Sequence, residues 1–176
     1  MSVAITAGTG TSIATDTVGS DEYQRVRFGC KAVVVSATPT LDTSAYASGD
    51  CLHTTVISFA DAVGPSLSGF VEKMIIVDAA VQSQPCELWL FSATVTPAAA
   101  NAAHSISDAD ALLLGGGGVV YSGPYYPSAL NSVSVAKGVG LAIKCAATTL
   151  YGILITRGTP TYAAGSLTVS LQISQD

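Results

Sequence analysis

The amino-acid sequence predicts an all-β protein: an antiparallel β-sandwich, jelly-roll-like, with little helix. Three observations carry that expectation. Short segments that alternate between apolar and polar residues recur along the chain. Gly- and Pro-containing turns separate them. No helical pattern of about 10–15 residues stands between consecutive segments, as a parallel βαβ fold would need. A closed barrel is the nearest alternative, because alternation alone does not separate a barrel from a sandwich. No fixed-period repeat is present, which argues against a solenoid or propeller.

Residues 3–7 alternate weakly and read as a short strand or extended arm, followed by a glycine-bearing polar linker to residue 20. The chain therefore divides into an N-terminal arm, 1–20, and a single sandwich domain, 21–176. EYQRVRF at 22–28 alternates cleanly, with Tyr23, Arg25 and Arg27 on one face and Gln24, Val26 and Phe28 on the other. KAVVVSA at 31–37 is a second strand, ended by Pro39. CLHTTVISF at 51–59 reads as one strand that puts Cys51, His53, Thr55, Ile57 and Phe59 on one side. FVEKMIIVDAAV at 70–81 and CELWLFSA at 86–93 read as an antiparallel hairpin. In the second of these, Leu88 and Leu90 oppose Glu87, Trp89 and Phe91, and Trp89 reads as a core or sheet-cover residue.

Residues 94–111 are the least strand-like part. Ser105 or Ser107 is placed to cap one helical turn through DADALLL. Asp108 and Asp110 would then lie where the helix dipole favours carboxylates, and the glycine run 115–118 would break the turn. VVYSGPYY at 119–126 reads as a strand running into a loop, and 133–135 as a short strand. GLAIKCA at 140–146 and LYGILITR at 150–157 are two strands joined by ATT. LTVSLQI at 167–173 is the cleanest alternation in the chain. The tally is eight to ten strands.

Composition narrows the function. The 176 residues are 49% hydrophobic and only 11% charged, against about a quarter charged in an ordinary globular domain. Seven Lys plus Arg against 12 Asp plus Glu give a net charge of -5. That balance argues against direct nucleic-acid binding, which needs a basic, phosphate-facing patch. High apolar content argues against disorder. No window is long and apolar enough for a membrane helix, and the N-terminus lacks the basic start and apolar core of a signal peptide. A surface covered by Ser, Thr, Gly and small apolar side chains packs closely against protein, because little charge must be desolvated.

The chemistry-bearing residues form no recognisable site. His53 and His104 belong to no HxH or HExxH pattern, so neither a metal nor any other cofactor is expected. Cys30, Cys51, Cys86 and Cys145 follow no zinc or redox spacing, and each lies in or beside an apolar run. They read as buried thiols, with disulfides left open. There is no GxSxG elbow, and Cys51 with His53 on one strand face gives no reason for catalysis. The glycine run lacks the Lys-Ser/Thr of a phosphate loop. Arg25, Arg27 and Lys31 form the densest basic cluster. No catalytic residue is assigned.

Several segments do carry a resemblance: GTSIATDTVGSDEYQRVR at 10–27, AYASGDCL at 45–52, and GFVEKMIIVDAA with ELWLFSATVTP at 69–97. They resemble small structural proteins of tailed bacteriophages, some of them head decoration, or cement, proteins. Ile13, Ala14, Thr15, Asp16, Tyr23, Gln24, Arg25 and Val26 stand at the matching N-terminal places. Tyr46 to Asp50 and Leu88 to Phe91 stand at two others. Cys51 and His53 depart from the plainly aliphatic residues of similar chains, as does the length of the glycine run.

The resemblance implies a non-enzymatic virion protein, made in the host bacterial cytoplasm and carried on the capsid surface. Its implied partners are the major capsid protein and copies of itself, most often as a trimer. It implies no membrane and no direct nucleic-acid contact. A tail, fibre-base or vertex component is the alternative. A carbohydrate-binding module, with Tyr121, Tyr125 and Tyr126 as a stacking platform, is a more distant one. Three regions are expected to make contacts: the arm, through Val3, Ile5 and Ile13, by strand addition to a neighbour; the Tyr23, Arg25 and Arg27 face; and the aromatic loop of Tyr121, Tyr125 and Tyr126.

Overall fold

The computed structural model describes the backbone of 15–18 and 21–24 and the whole of residues 30–176. Thirteen strands occur among these residues, and the only α-helix among them is one turn and a half long. β1 (Thr15–Val18) and β2 (Asp21–Gln24) form an antiparallel hairpin, Thr15 opposite Gln24. The expected strand at 22–28 is thus seen as far as Gln24; Arg25 and Arg27 lie outside the described residues, as do Val3, Ile5 and Ile13.

The body is a sandwich of two antiparallel sheets. In chain order its strands are β3 (Lys31–Ala37), β4 (Asp50–Cys51), β5 (Ile57–Phe59), β6 (Ser68–Asp78), β7 (Cys86–Phe91), β8 (Ala102–Ala103), β9 (Gly118–Tyr121), β10 (Tyr125–Pro127), β11 (Ser132–Lys144), β12 (Leu150–Thr156) and β13 (Leu167–Gln175). One sheet has five strands in the order β10-β11-β6-β13-β3. The other has six, in the order β8-β4-β12-β7-β9, with β5 also on β12.

Between the sheets lies the main core. Val71, Met74 and Ile76 of β6 and Leu167, Val169, Leu171 and Ile173 of β13 meet Leu88 and Leu90 of β7 and Leu150 and Leu154 of β12. β13 alternates buried and half-buried along its whole length, as its sequence requires.

A second core lies on the outer side of the six-stranded sheet. There Phe91, Ile153, Ile155 and Cys51 are buried with Trp89 and Tyr151 beneath Val95, Ala98, Ile106, Leu113 and Leu114. The covering segment is the stretch of least strand character in the sequence. It holds α1 (Asp108–Leu112), whose N-cap Ser107 accepts from the Asp110 N–H at 3.1 Å. The glycines after it bring the chain against the sheet. A Cβ on Gly117 would collide with the Leu90 carbonyl oxygen, and one on Gly116 with that of Lys144.

Four expectations change. Thirteen strands stand where eight to ten were expected. Residues 70–81 and 86–93 are not a hairpin: β6 pairs with β11 and β13, whereas β7 pairs with β12 and β9. The connection crosses between sheets. The buried Asp78 carboxylate shapes it, accepting from the Ala80 and Ser83 N–H groups at 2.9 and 2.8 Å, and Val81 and Ser83 take left-handed φ of 54° and 53°. Residues 51–59 are not one strand, because the His53 ring closes a turn between β4 and β5. Residues 133–135 and 140–144 are parts of one strand, β11, bulged between Lys137 and Leu141 where Gly138 and Gly140 have φ of 62° and 60°.

Candidate interaction surface

The chemistry-bearing residues are tied into the scaffold. His53 is 1% exposed. Its Nε2 accepts from the Leu154 N–H at 2.8 Å, and its Nδ1 lies 2.7 Å from the Thr55 carbonyl oxygen, to which it donates in the neutral tautomer this pairing demands. Burial pushes its pKa down to about 4, against the partial support of Thr55. Both ring nitrogens are thereby used. The Cys51 thiol donates to the His53 carbonyl oxygen at 3.2 Å, not to the ring, and burial pushes its pKa up. A thiolate–imidazole pair does not form.

Cys86 is buried beside Tyr125, whose hydroxyl donates to Sγ at 3.9 Å, and burial pushes the thiol up to about 12. Cys51, Cys86 and Cys145 are buried free thiols, as the sequence predicts, but Cys30 is exposed. Among the described residues no group of three His, Cys, Asp or Glu side chains could hold a metal ion, and no helix is long and apolar enough to cross a membrane.

The one ion pair seen among the described residues joins Glu87 of β7 to Arg157, the residue after β12, with Nε–Oε1 at 2.7 Å and Nη2–Oε2 at 2.6 Å. The Trp89 indole N–H also donates to Glu87, at 3.1 Å, and His104 stands edge-on to Trp89 with ring centroids 4.7 Å apart. Arg157 holds the Glu87 carboxyl below the usual carboxylate range. This cluster fastens the cover segment to the sheet.

The three tyrosines do not share a plane. Tyr121 ends β9 in the six-stranded sheet and is 65% exposed. Tyr126 lies in β10 of the five-stranded sheet and is 62% exposed. Between them Tyr125 turns inward to Cys86. Tyr23 sits in β2, opposite Asp16.

No described segment covers the outer face of the five-stranded sheet, and the register lays it out in rows. Tyr126 is opposite Val133, Val133 opposite Val77, and Val77 opposite Thr168. Val135, Ile75, Ser170 and Ser36 make the next row, where the two serine hydroxyls bond at 2.7 Å. Lys137, Lys73, Gln172 and Val34 follow, then Ala142, Phe70, Ser174 and Ala32. Val34 is 71% exposed and Phe70 44%.

In the middle of this face Lys73 and Lys137 stand directly opposite each other, a like-charge pair that destabilises the free sheet. Neither makes an ion pair among the described residues. All four lysines of the chain lie in this sheet. Sequence reading singled out none of Val34, Phe70, Lys73 and Lys137. The long alternating strands signal the face, but the opposition of the lysines exists only through the register.

Compared with known proteins, the chain matches no family model and no curated protein.

Proposed function

We propose that the chain is a non-enzymatic virion protein of a tailed bacteriophage, a capsid decoration protein that seats on the head and bridges shell subunits. One observation carries the reading: a sheet face bearing exposed Val34, Phe70 and Tyr126 around a lysine pair that makes no ion pair among the described residues. Such a face suits a protein surface that is mostly apolar and supplies carboxylates. The shell protein is that partner, and copies of the chain, as a trimer, are the second. Multivalent seating then converts weak single contacts into firm attachment. The segment resemblance to phage structural proteins supports the same reading. The division of Tyr121, Tyr125 and Tyr126 among two sheet surfaces and the interior weighs against a carbohydrate platform.

Co-sedimentation of the purified protein with phage heads, followed by electron microscopy of the particles, tests the proposal. Density on the head exterior at many copies per particle is the expected result. Failure to sediment with heads, or density confined to a tail or a single vertex, overturns it.

A further inference from the structure

The edges of the two sheets are unequal. β10 is three residues long and ends on Pro127, β8 is two residues, and β9 is four and opens on Gly118. Short strands, proline and glycine are ordinary ways to blunt an edge. β3 is different. It runs seven residues, KAVVVSA, and its only ladder partner among the described residues is β13. It contains no proline and no bulge, and its one charge, Lys31, is at its end. A long, flat, apolar edge of this kind is a template for another strand.

Among the described residues the sandwich is also open along β3. A cleft beside its first half is lined by Val33, Val35 and Val63 together with the charged Lys31, Asp61 and Asp176, and a second, largely polar one beside its end by Ala37, Pro39 and residues 53–58. Val33, Val35 and Ala37 pack against the main core from this side. A strand added to β3 would send every second side chain into the gap between the sheets and close the core laterally.

We propose that the occupant is the segment VAITA, residues 3–7, donated by a second copy of this chain. It has five residues, enough to span about 16 Å of β3 at the rise of an antiparallel strand. Its alternation puts Val3, Ile5 and Ala7 on one side, which matches the apolar part of the cleft at Val33, Val35 and Val63, and Ala4 and Thr6 on the other. Residues 1–14 contain no charged side chain, so the segment itself brings no side-chain charge into the cleft. Outside the β1–β2 hairpin, residues 8–14 and 25–29 link the segment to Cys30, a reach of up to about 40 Å if extended, enough to meet a neighbouring copy. This inference rests on the reading of the chain as a self-associating virion protein and names the contact through which copies join.

Hydrogen exchange read by mass spectrometry tests it on the full chain. Protection of the 31–37 amides is expected to rise with protein concentration in step with oligomer mass. Deleting residues 2–14, or substituting Ile5→Pro, is expected to speed exchange there at least tenfold and reduce the oligomer, while exchange in β6 and β13 stays as before. A synthetic peptide of residues 2–9 restores the protection. Protection of 31–37 that is the same at all concentrations, or that survives the deletion, overturns the inference. The outcome is separable from head binding: an oligomer held by this contact that ignores phage heads defeats the decoration reading alone, and a head-binding protein with unprotected β3 defeats the strand exchange alone.

Discussion

The two sheets bury their strands in different ways. β13, in the five-stranded sheet, has one face in the main core and one open to water, and its burial alternates without exception over nine residues. β12, in the six-stranded sheet, is buried at six of seven positions, because the 92–117 segment covers the face that points away from the main core. The sequences differ accordingly. LTVSLQI alternates, whereas GILIT and CELWLF run apolar on both sides. An antiparallel strand reads as continuous apolar sequence when something lies on both its faces, and here that something is a loop with one short helix. The covered sheet is packed on both faces, and the open sheet has one face that no described segment covers.

Truncating the two outer faces is the harshest way to break this comparison. Phe91 on the covered face is 0% exposed, while Ile75 on the open face is half-buried. Phe91→Ala is expected to cost about 3–5 kcal/mol and Ile75→Ala less than about 1 kcal/mol, by chemical denaturation. Equal losses would mean that the open face is packed in the isolated protein and that the two sheets are not different in kind.

The next largest effect is a pH dependence seated in the covered sheet. His53 has its folded pKa depressed to about 4 from an ordinary 6.5. The unfolded chain therefore takes up the proton first as pH falls. Stability is full above about pH 6.5 and is lost progressively toward pH 4, by about 3 kcal/mol for a shift of this size. Protonation would place a second donor against the Leu154 N–H that Nε2 now accepts. His53→Gln, which can donate to Thr55 and accept from Leu154 without titrating, is expected to flatten the slope. His104 leaves a smaller residue of it, since burial and Arg157 lower its pKa too. A slope unchanged in His53→Gln would place the titration elsewhere.

The strands themselves were largely legible in both sheets: β3 matches its expected bounds, β13 contains its expected run, and β7 and β12 lie within theirs, whereas β11 read as two strands split at the glycines of its bulge. What covers the second sheet was not. Trp89 and Phe91 are identifiable as one face of β7, but nothing local says that a segment with poor apolar spacing will lie over them. The false hairpin of β6 and β7 has the same origin. A turn signal reports that the chain reverses, not whether it returns beside its own strand or crosses to the facing sheet, and Asp78 directs the crossing through contacts with residues on the far side of the turn. Of the candidate surface, the alternation of the strands was visible and the lysine pair was not, since residues in β6 and β11 become neighbours only when the ladder is set.

The mildest test on stability is the most discriminating for function. Lys73→Glu replaces a repulsive cross-strand neighbour of Lys137 with an attractive one. The free protein should be unchanged or more stable by up to about 1 kcal/mol, measured by thermal or chemical denaturation. If the open face meets carboxylates on the shell, the same substitution should weaken co-sedimentation with phage heads, and the wild-type interaction should itself fade as salt rises. A residue with a purely structural part would move stability and binding together. Opposite movement of the two is what distinguishes a surface arranged for a partner from one arranged for the sheet, and binding that rises or holds with Lys73→Glu would remove the lysine pair from the contact.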